Sequence, residues 1–187
     1  MRPLSLISAS FSALAVLFVL SAYTLAPAQK NPAKGAKGSD AIQWLSFEEA
    51  VEKNKKEPRK IFIDVYTDWC GWCKKMDKDT FSQPEIARYV NKHFYAVKLD
   101  AEGKKPITFN GHTYNYNSEY RSHELAVALL QGKMSYPTTV YLDEKFHLLS
   151  PVPGYLTVDV FSKIIRYYGE DHYKKTPWDK FEAQAKK

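Results

Sequence analysis

The sequence predicts an α/β domain: a central mixed β-sheet flanked by helices, with an inserted hairpin and a helical extension at the C-terminus. Three observations carry that expectation. Helix and strand patterns alternate from residue 46 to residue 99 and give way to a late hairpin. The run Ile61-Phe62-Ile63-Asp64-Val65-Tyr66 is apolar without alternation, as a strand buried on both faces requires. The two cysteines of the chain, Cys70 and Cys73, follow that strand at a strand-to-helix junction, where α/β sheets present their ligands.

The elements read in order. Residues 1–28 look like a signal peptide: Arg2 opens it, residues 4–25 are uncharged, and the most apolar stretch is 14–20. Ala26 and Ala28 place small residues where a signal peptidase reads, so export and cleavage after Ala28 are expected. An uncleaved membrane anchor is the competing reading, weakened by the serines that dilute the stretch. After cleavage no stable membrane span is expected. Residues 29–40 read as a flexible spacer, residues 41–170 as the folded domain, and residues 171–187 as the extension.

Ser46 and Glu49 form a capping-box pattern that opens a helix through about residue 56, and Pro58 ends it. The buried strand follows, then a helix from Cys70 to about residue 78. Pro84 marks the first turn of another helix, with Ile86, Ala87 and Val90 toward the core. Residues 94–99 form the next strand. Asn110-Gly111, between apolar flanks, carries a hairpin signal. Residues 121–130 are helical with Gly132 as a stop. Residues 138–142 and 146–149 form two strands joined by Asp143-Glu144-Lys145, residues 158–168 the closing helix, and Pro177-Trp178 opens the extension.

Composition narrows the function class. The chain has 187 residues, 44% hydrophobic and 14% aromatic, which suits a packed domain rather than a disordered one. Its formal charge of +6 is spread along the sequence rather than gathered into a basic stripe, so no nucleic-acid partner is expected. A monomer is expected.

The cysteine pair admits several chemistries. If Cys70 starts a helix, a three-residue offset brings both sulfurs onto one turn, close enough to bond. The helix N-terminus then favours an exposed thiolate at Cys70, with Cys73 behind it, suited to disulfide exchange. A zinc half-site lacks further ligands, because the five histidines are scattered without an H-x₃₋₅-H pair. Covalent haem attachment needs a His where Lys74 stands. A purely structural bridge closes too short a loop to restrict the unfolded chain much. No metal or cofactor beyond the pair is expected.

Trp69-Cys70-Gly71-Trp72-Cys73-Lys74 resembles the active-site motif of the thioredoxin superfamily, and the resemblance runs over residues 47–168. Ser135-Tyr136-Pro137-Thr138 is similar to the family's cis-proline segment, and Gly154 falls where the family has a glycine near the site. Asp64, six residues before Cys70, matches the family's buried carboxylate. Lys98 matches the lysine often beside it. Residues 75–82 and the helix after them resemble the exported branch, which includes the reducing C-terminal domain of the periplasmic disulfide-interchange reductase. Residues 104–120 and the tail depart from a minimal member.

The resemblance implies an exported thiol-disulfide oxidoreductase acting on disulfide- or thiol-containing proteins, periplasmic or in the cell envelope, coupled to a redox donor or acceptor. Cys70 is the implied nucleophile, Cys73 the resolving thiol, Asp64 its proton acceptor, and Lys98 the residue that tunes Asp64. Trp69, Gly71, Trp72, Tyr136, Pro137 and Gly154 would meet the substrate. Gly71-Trp72 supplies no charge between the cysteines, so a reductase or isomerase-like exchanger is expected, with a potential on the order of −200 to −270 mV. The alternative is a peptide-binding or chaperone-like module of the same fold without essential redox turnover.

Overall fold

The computed structural model describes residues 40–184. The expected leader, the cleavage point after Ala28 and the spacer up to residue 39 lie outside the described residues. In chain order, β1 (Trp44–Leu45) leads into α1 (Phe47–Lys56), β2 (Lys60–Tyr66) and α2 (Gly71–Met76). A π-helical turn (Asp77–Phe81) joins α2 to α3 (Pro84–His93), which precedes β3 (Phe94–Asp100). Two small ribbons follow: β4 (Ile107–Phe109) with β5 (His112–Tyr114), and β6 (Tyr116–Asn117) with β7 (Ser122–His123). Then come α4 (Glu124–Leu129), β8 (Thr138–Leu142), β9 (Leu148–Pro153) and α5 (Val158–Gly169). A 3-10 turn (His172–Lys174) and α6 (Trp178–Gln184) follow.

The main sheet has the order β1-β3-β2-β8-β9, parallel from β1 to β2 and antiparallel beyond, so it is mixed and β2 is central. Side chains alternate across it. Ile61, Ile63 and Val65 of β2 join Phe47 and Ala50 of α1 and Leu125 and Leu129 of α4 in one core layer. Phe62 points the other way, into a layer with Met76 of α2, Ile86 and Val90 of α3, and Phe161 and Ile165 of α5. Asp64, two residues after Phe62, lies on that same second face. The buried run of β2 thus reflects helices on both sides.

Local signals explain most boundaries. Ser46 Oγ accepts from the Glu49 N–H at 3.2 Å and Glu49 accepts from the Ser46 N–H at 2.8 Å, a complete capping box. Asn110 and Gly111 both have positive φ, 50° and 77°, which the two-residue turn between β4 and β5 requires.

Four boundaries differ from the sequence reading. The helix expected through residue 78 leaves α-helical geometry after Met76 and widens into the π turn, where the neighbours Thr80 and Phe81 are both buried. The helix expected from residue 121 starts at Glu124. Arg121 is left-handed at φ 53°, Ser122 and His123 pair with β6, and the His123 imidazole caps α4 by accepting the Leu125 N–H at 3.2 Å. Phe146 lies in a turn at φ 65°, and the final strand is β9, which contains Pro151 and Pro153. Prolines argue against a strand unless it lies at an edge, and β9 is the edge. The two-residue β1 is too short for periodicity to register.

At the start of β2, the Lys60 side chain is only 6% exposed, and its Nζ reaches Glu144 Oε1 at 2.7 Å and Asp171 Oδ1 at 2.9 Å. Burial works against its charge, but the two carboxylate hydrogen bonds outweigh this and hold the ammonium above its ordinary pKa. The bridge ties β2 to the β8–β9 turn and to the segment after α5. Replacing Glu144 and Asp171 together by Ala strands a buried ammonium and should cost about 3 kcal/mol in urea unfolding. Adding Lys60→Met to that double variant should recover most of the loss; no recovery would show that the charge was not the cause.

Candidate active site at the Cys70–Cys73 disulfide

Cys70 and Cys73 are bonded, with S–S 2.06 Å and Cα atoms 5.3 Å apart. The strand-to-helix junction produces this contact. β2 ends at Tyr66, the Cys70 N–H donates to the Thr67 carbonyl at 3.1 Å, and Cys70 becomes the N-cap of α2. Its Sγ accepts from the Cys73 N–H at 3.1 Å. That donor and the adjoining helix terminus favour negative charge at Cys70 once the bond is reduced.

The expectation of an exposed Cys70 with Cys73 deeper is corrected for the oxidised chain: the two are 4% and 3% exposed. Cys70 Sγ lies over the first turn of α2, bonded to Cys73 and accepting its N–H, while Trp69 and Trp72, 66% and 59% exposed, take the surface beside it.

Three loops build the rim. Trp69 meets Tyr136 edge-on at 5.9 Å between ring centroids, and Trp72 meets Tyr155 at 5.5 Å. The Tyr136–Pro137 peptide bond is cis. The Gly154 N–H donates to the Pro137 carbonyl at 2.8 Å, joining the second loop to the third. Gly154 has φ +97°, and a Cβ there would meet nothing within 4 Å, so conformation rather than space demands glycine. Gly71 is exposed and equally open.

Beneath the pair, strand register does the positioning. α2 buries Cys73 and Met76 on one stripe, and Met76 packs on the face of β2 that carries Asp64. In the parallel pairing of β2 with β3, Asp64 lies opposite Lys98. Lys98 Nζ reaches Asp64 Oδ2 at 2.6 Å and also Asp77 Oδ1 at 2.5 Å. Trp44, Tyr66 and Phe81 surround the ammonium, with ring centroids 5.1, 4.9 and 5.7 Å away. Asp64 is 1% exposed, and no described residue hydrogen-bonds its Oδ1. Burial pushes Asp64 up to about 6, against the opposing pull of Lys98. Burial also disfavours the Lys98 ammonium, yet Asp64 and Asp77 hold it above its ordinary value.

Every residue singled out in the sequence therefore lies at or beneath one end of the sheet. Sequence reasoning missed Asp77, Asp79, Thr80 and Tyr155. Asp77 stands four residues after Cys73, one helical turn along, which is a readable signal. The others depend on the π turn, which no local pattern announces. Among the described residues no three His, Cys, Asp or Glu side chains are grouped as a metal site needs.

The Asp64 environment has a measurable consequence for stability. Folding raises its pKa from 3.8 to about 6, so between those values the folded chain holds a proton that the unfolded chain has released. The site's contribution is thus most favourable below about pH 4 and is lost as pH rises through about 6, by up to about 3 kcal/mol. Asp64→Asn removes that loss. Urea unfolding of the oxidised chain should show the variant more stable than the parent at pH 8 by about 2 kcal/mol, with the difference nearly gone at pH 4.

Comparison with known proteins agrees with this geometry. A DsbH oxidoreductase structure superposes with a TM-score of 0.51 at 19% identity, covering 70% of this chain and 85% of that one. A thioredoxin-fold protein from Helicobacter pylori gives 0.53 at 18% identity, covering 81% and 91%. At these identities the likeness is one of fold. Spermatogenesis-associated protein 20 of Mus musculus is 31% identical over 80 residues, 42% of this chain and 10% of that protein. The disulfide bond reductase DsbH of Chlamydia pneumoniae is 32% identical over 60 residues, 32% of this chain and 36% of that one. The chain thus spans about a tenth to a third of the length of these relatives. Residues 28–155 match the family Thioredox_DsbH, described as a protein of unknown function, DUF255. With a thioredoxin fold around a Cys-Gly-Trp-Cys disulfide, the chain belongs to this family within the thioredoxin superfamily.

Proposed function

We propose that the protein is an exported thiol-disulfide oxidoreductase that reduces or exchanges disulfides in other proteins. The observation that carries this reading is the bonded pair Cys70–Cys73 at the N-terminus of α2, above a buried carboxylate whose pKa lies at about 6. In the reduced protein, Cys70 thiolate attacks one sulfur of a substrate disulfide. A Cys70–substrate bond forms and the first substrate thiolate leaves. Cys73, deprotonated, then attacks Cys70 Sγ, closes the intramolecular bond and expels the second substrate thiolate. Two electrons pass from protein to substrate, and a dithiol donor must restore the pair.

Asp64 is the proton acceptor for Cys73 in this scheme. A carboxylate with a pKa near 6 is ionised at neutral pH yet basic enough to take a proton. Lys98 holds its charge in check and is tied in turn by Asp77. Trp69, Trp72 and Tyr136 offer apolar surface beside the sulfurs, and Pro137 and Gly154 shape the loops that receive an extended substrate. The uncharged Gly71-Trp72 pair favours a reducing or isomerising role over a primary oxidase.

The reading makes three separable claims. Cys70→Ala should abolish reduction of insulin disulfides, whereas Cys73→Ala should accumulate mixed disulfides visible on non-reducing gels. Asp64→Asn should slow release of those mixed disulfides about tenfold at pH 7.5. An unchanged release rate would remove Asp64 from the mechanism. Holdase activity that survives both Cys70→Ala and Cys73→Ala, with no disulfide reduction in the parent, would favour a chaperone-like module instead.

Export rests on the leader pattern and on the occurrence of named disulfide reductases among the relatives. Among the described residues no helix is long and apolar enough to cross a membrane. Mass measurement of the protein recovered from its native host should show residues 1–28 missing; an intact Met1 would mean retention or anchoring.

A further inference from the structure

The π turn after α2 has an unusual set of attachments. Thr80 Oγ1 donates to the Leu156 carbonyl at 2.7 Å, and this contact is buried. The Tyr155 hydroxyl donates to Asp79 Oδ2 at 3.3 Å, and the same carboxylate oxygen pairs with Lys75 Nζ at 2.5 Å. Lys75 Nζ also lies 5.6 Å from the centre of the Tyr155 ring. Two neighbouring residues of the turn therefore grip two neighbouring residues of the loop after β9. The ring held in this way is the one that meets Trp72, between the cysteines, at 5.5 Å.

Core packing accounts for only part of this arrangement. Tyr155 is half-buried and packs against the second core layer, whereas Trp72 is more than half exposed, so their contact forms an apolar surface at the edge of that layer. Left unsupported, an exposed Trp–Tyr contact would hold its rings loosely. Here one ring is fixed from its hydroxyl end, while it stays in contact with Trp72, the residue between the cysteines. A preorganised aromatic surface gains most from an apolar side chain laid against it, because little conformational freedom is then lost on binding. It gains little from a small, charged thiol compound.

Resting on the redox reading above, we infer that Tyr155 is a specificity-determining residue. With Trp72 it forms a docking surface for a large apolar side chain next to the substrate cysteine, so the site selects polypeptide disulfides with apolar flanks over small charged disulfides. Asp79 and Lys75 are its positioning residues. The Trp69–Tyr136 contact by Cys70 gives the same surface a second arm, and an extended polypeptide, unlike a small disulfide, can reach both.

The test uses the full chain, reduced beforehand and freed of reductant, and follows its oxidation by three probes. These are a disulfide-linked peptide with Leu and Trp flanking the cysteines, the same peptide with Ser and Gly flanks, and oxidised glutathione. The parent should react at least tenfold faster with the apolar peptide than with either of the others. In Tyr155→Ala that preference should fall to within about twofold, whereas Tyr155→Phe, which keeps the ring, should retain most of it. Asp79→Asn should fall between. A parent that reduces all three probes at similar rates overturns the inference, as does a Tyr155→Ala variant that slows all three equally. A parent that reduces none of them overturns the redox reading itself.

Discussion

Asp64 is a carboxylate in the middle of a strand that is buried on both faces, and an unpaired charge there would be very costly. The structure accommodates it through the register of β2 against β3, which sets Lys98 directly opposite. Moving β3 by one residue would turn Lys98 to the α1 face and leave Asp64 alone among Phe62, Met76 and Phe81. The sheet order and the helix layers therefore have to agree with this one ion pair. Because Lys98 is shared with Asp77 and enclosed by three aromatic rings, it only partly neutralises Asp64, whose pKa stays near neutrality. One interaction thus serves both the fold and the candidate chemistry.

Above that pair, the site is assembled from chain segments far apart in sequence. The turn after β2 brings the disulfide, the loop before β8 brings Tyr136 and Pro137, and the loop after β9 brings Gly154 and Tyr155. Their meeting follows from strand order: β2, β8 and β9 are successive neighbours, so the loops at their shared end touch. The bond from the Gly154 N–H to the Pro137 carbonyl joins two of them, and the π turn secures the last. Sheet and helix below thus carry a surface that is apolar above, beside the disulfide.

The sequence reading was sound where short-range chemistry decides conformation. Capping at Ser46, the Asn110-Gly111 turn and the apolar run of β2 each act within a few residues, and each element formed where that chemistry placed it. It erred where distant contacts intervene. Residues 121–123 have helical character, but Arg121 turns left-handed, and pairing with β6 and the buried role of His123 hold Ser122 and His123 extended. Pro151 and Pro153 argue against a strand until an edge position makes their missing N–H groups harmless. The exposure expected of Cys70 does not hold in the oxidised chain, where both sulfurs are buried over the first turn of α2.

What the sequence determined by itself is the chemistry available: two cysteines at one helical turn, a carboxylate six residues earlier and a proline loop to face them. The cysteine pair follows from residue type and spacing, which the chain states directly, whereas the carboxylate and the proline loop were implied by the family resemblance. Only the tertiary structure decided how that chemistry is tuned and bounded. Burial raised the Asp64 pKa, strand register supplied Lys98, and the π turn held Tyr155 against Trp72. Such effects arise from neighbours many residues away, through desolvation and packing, and no local pattern encodes them.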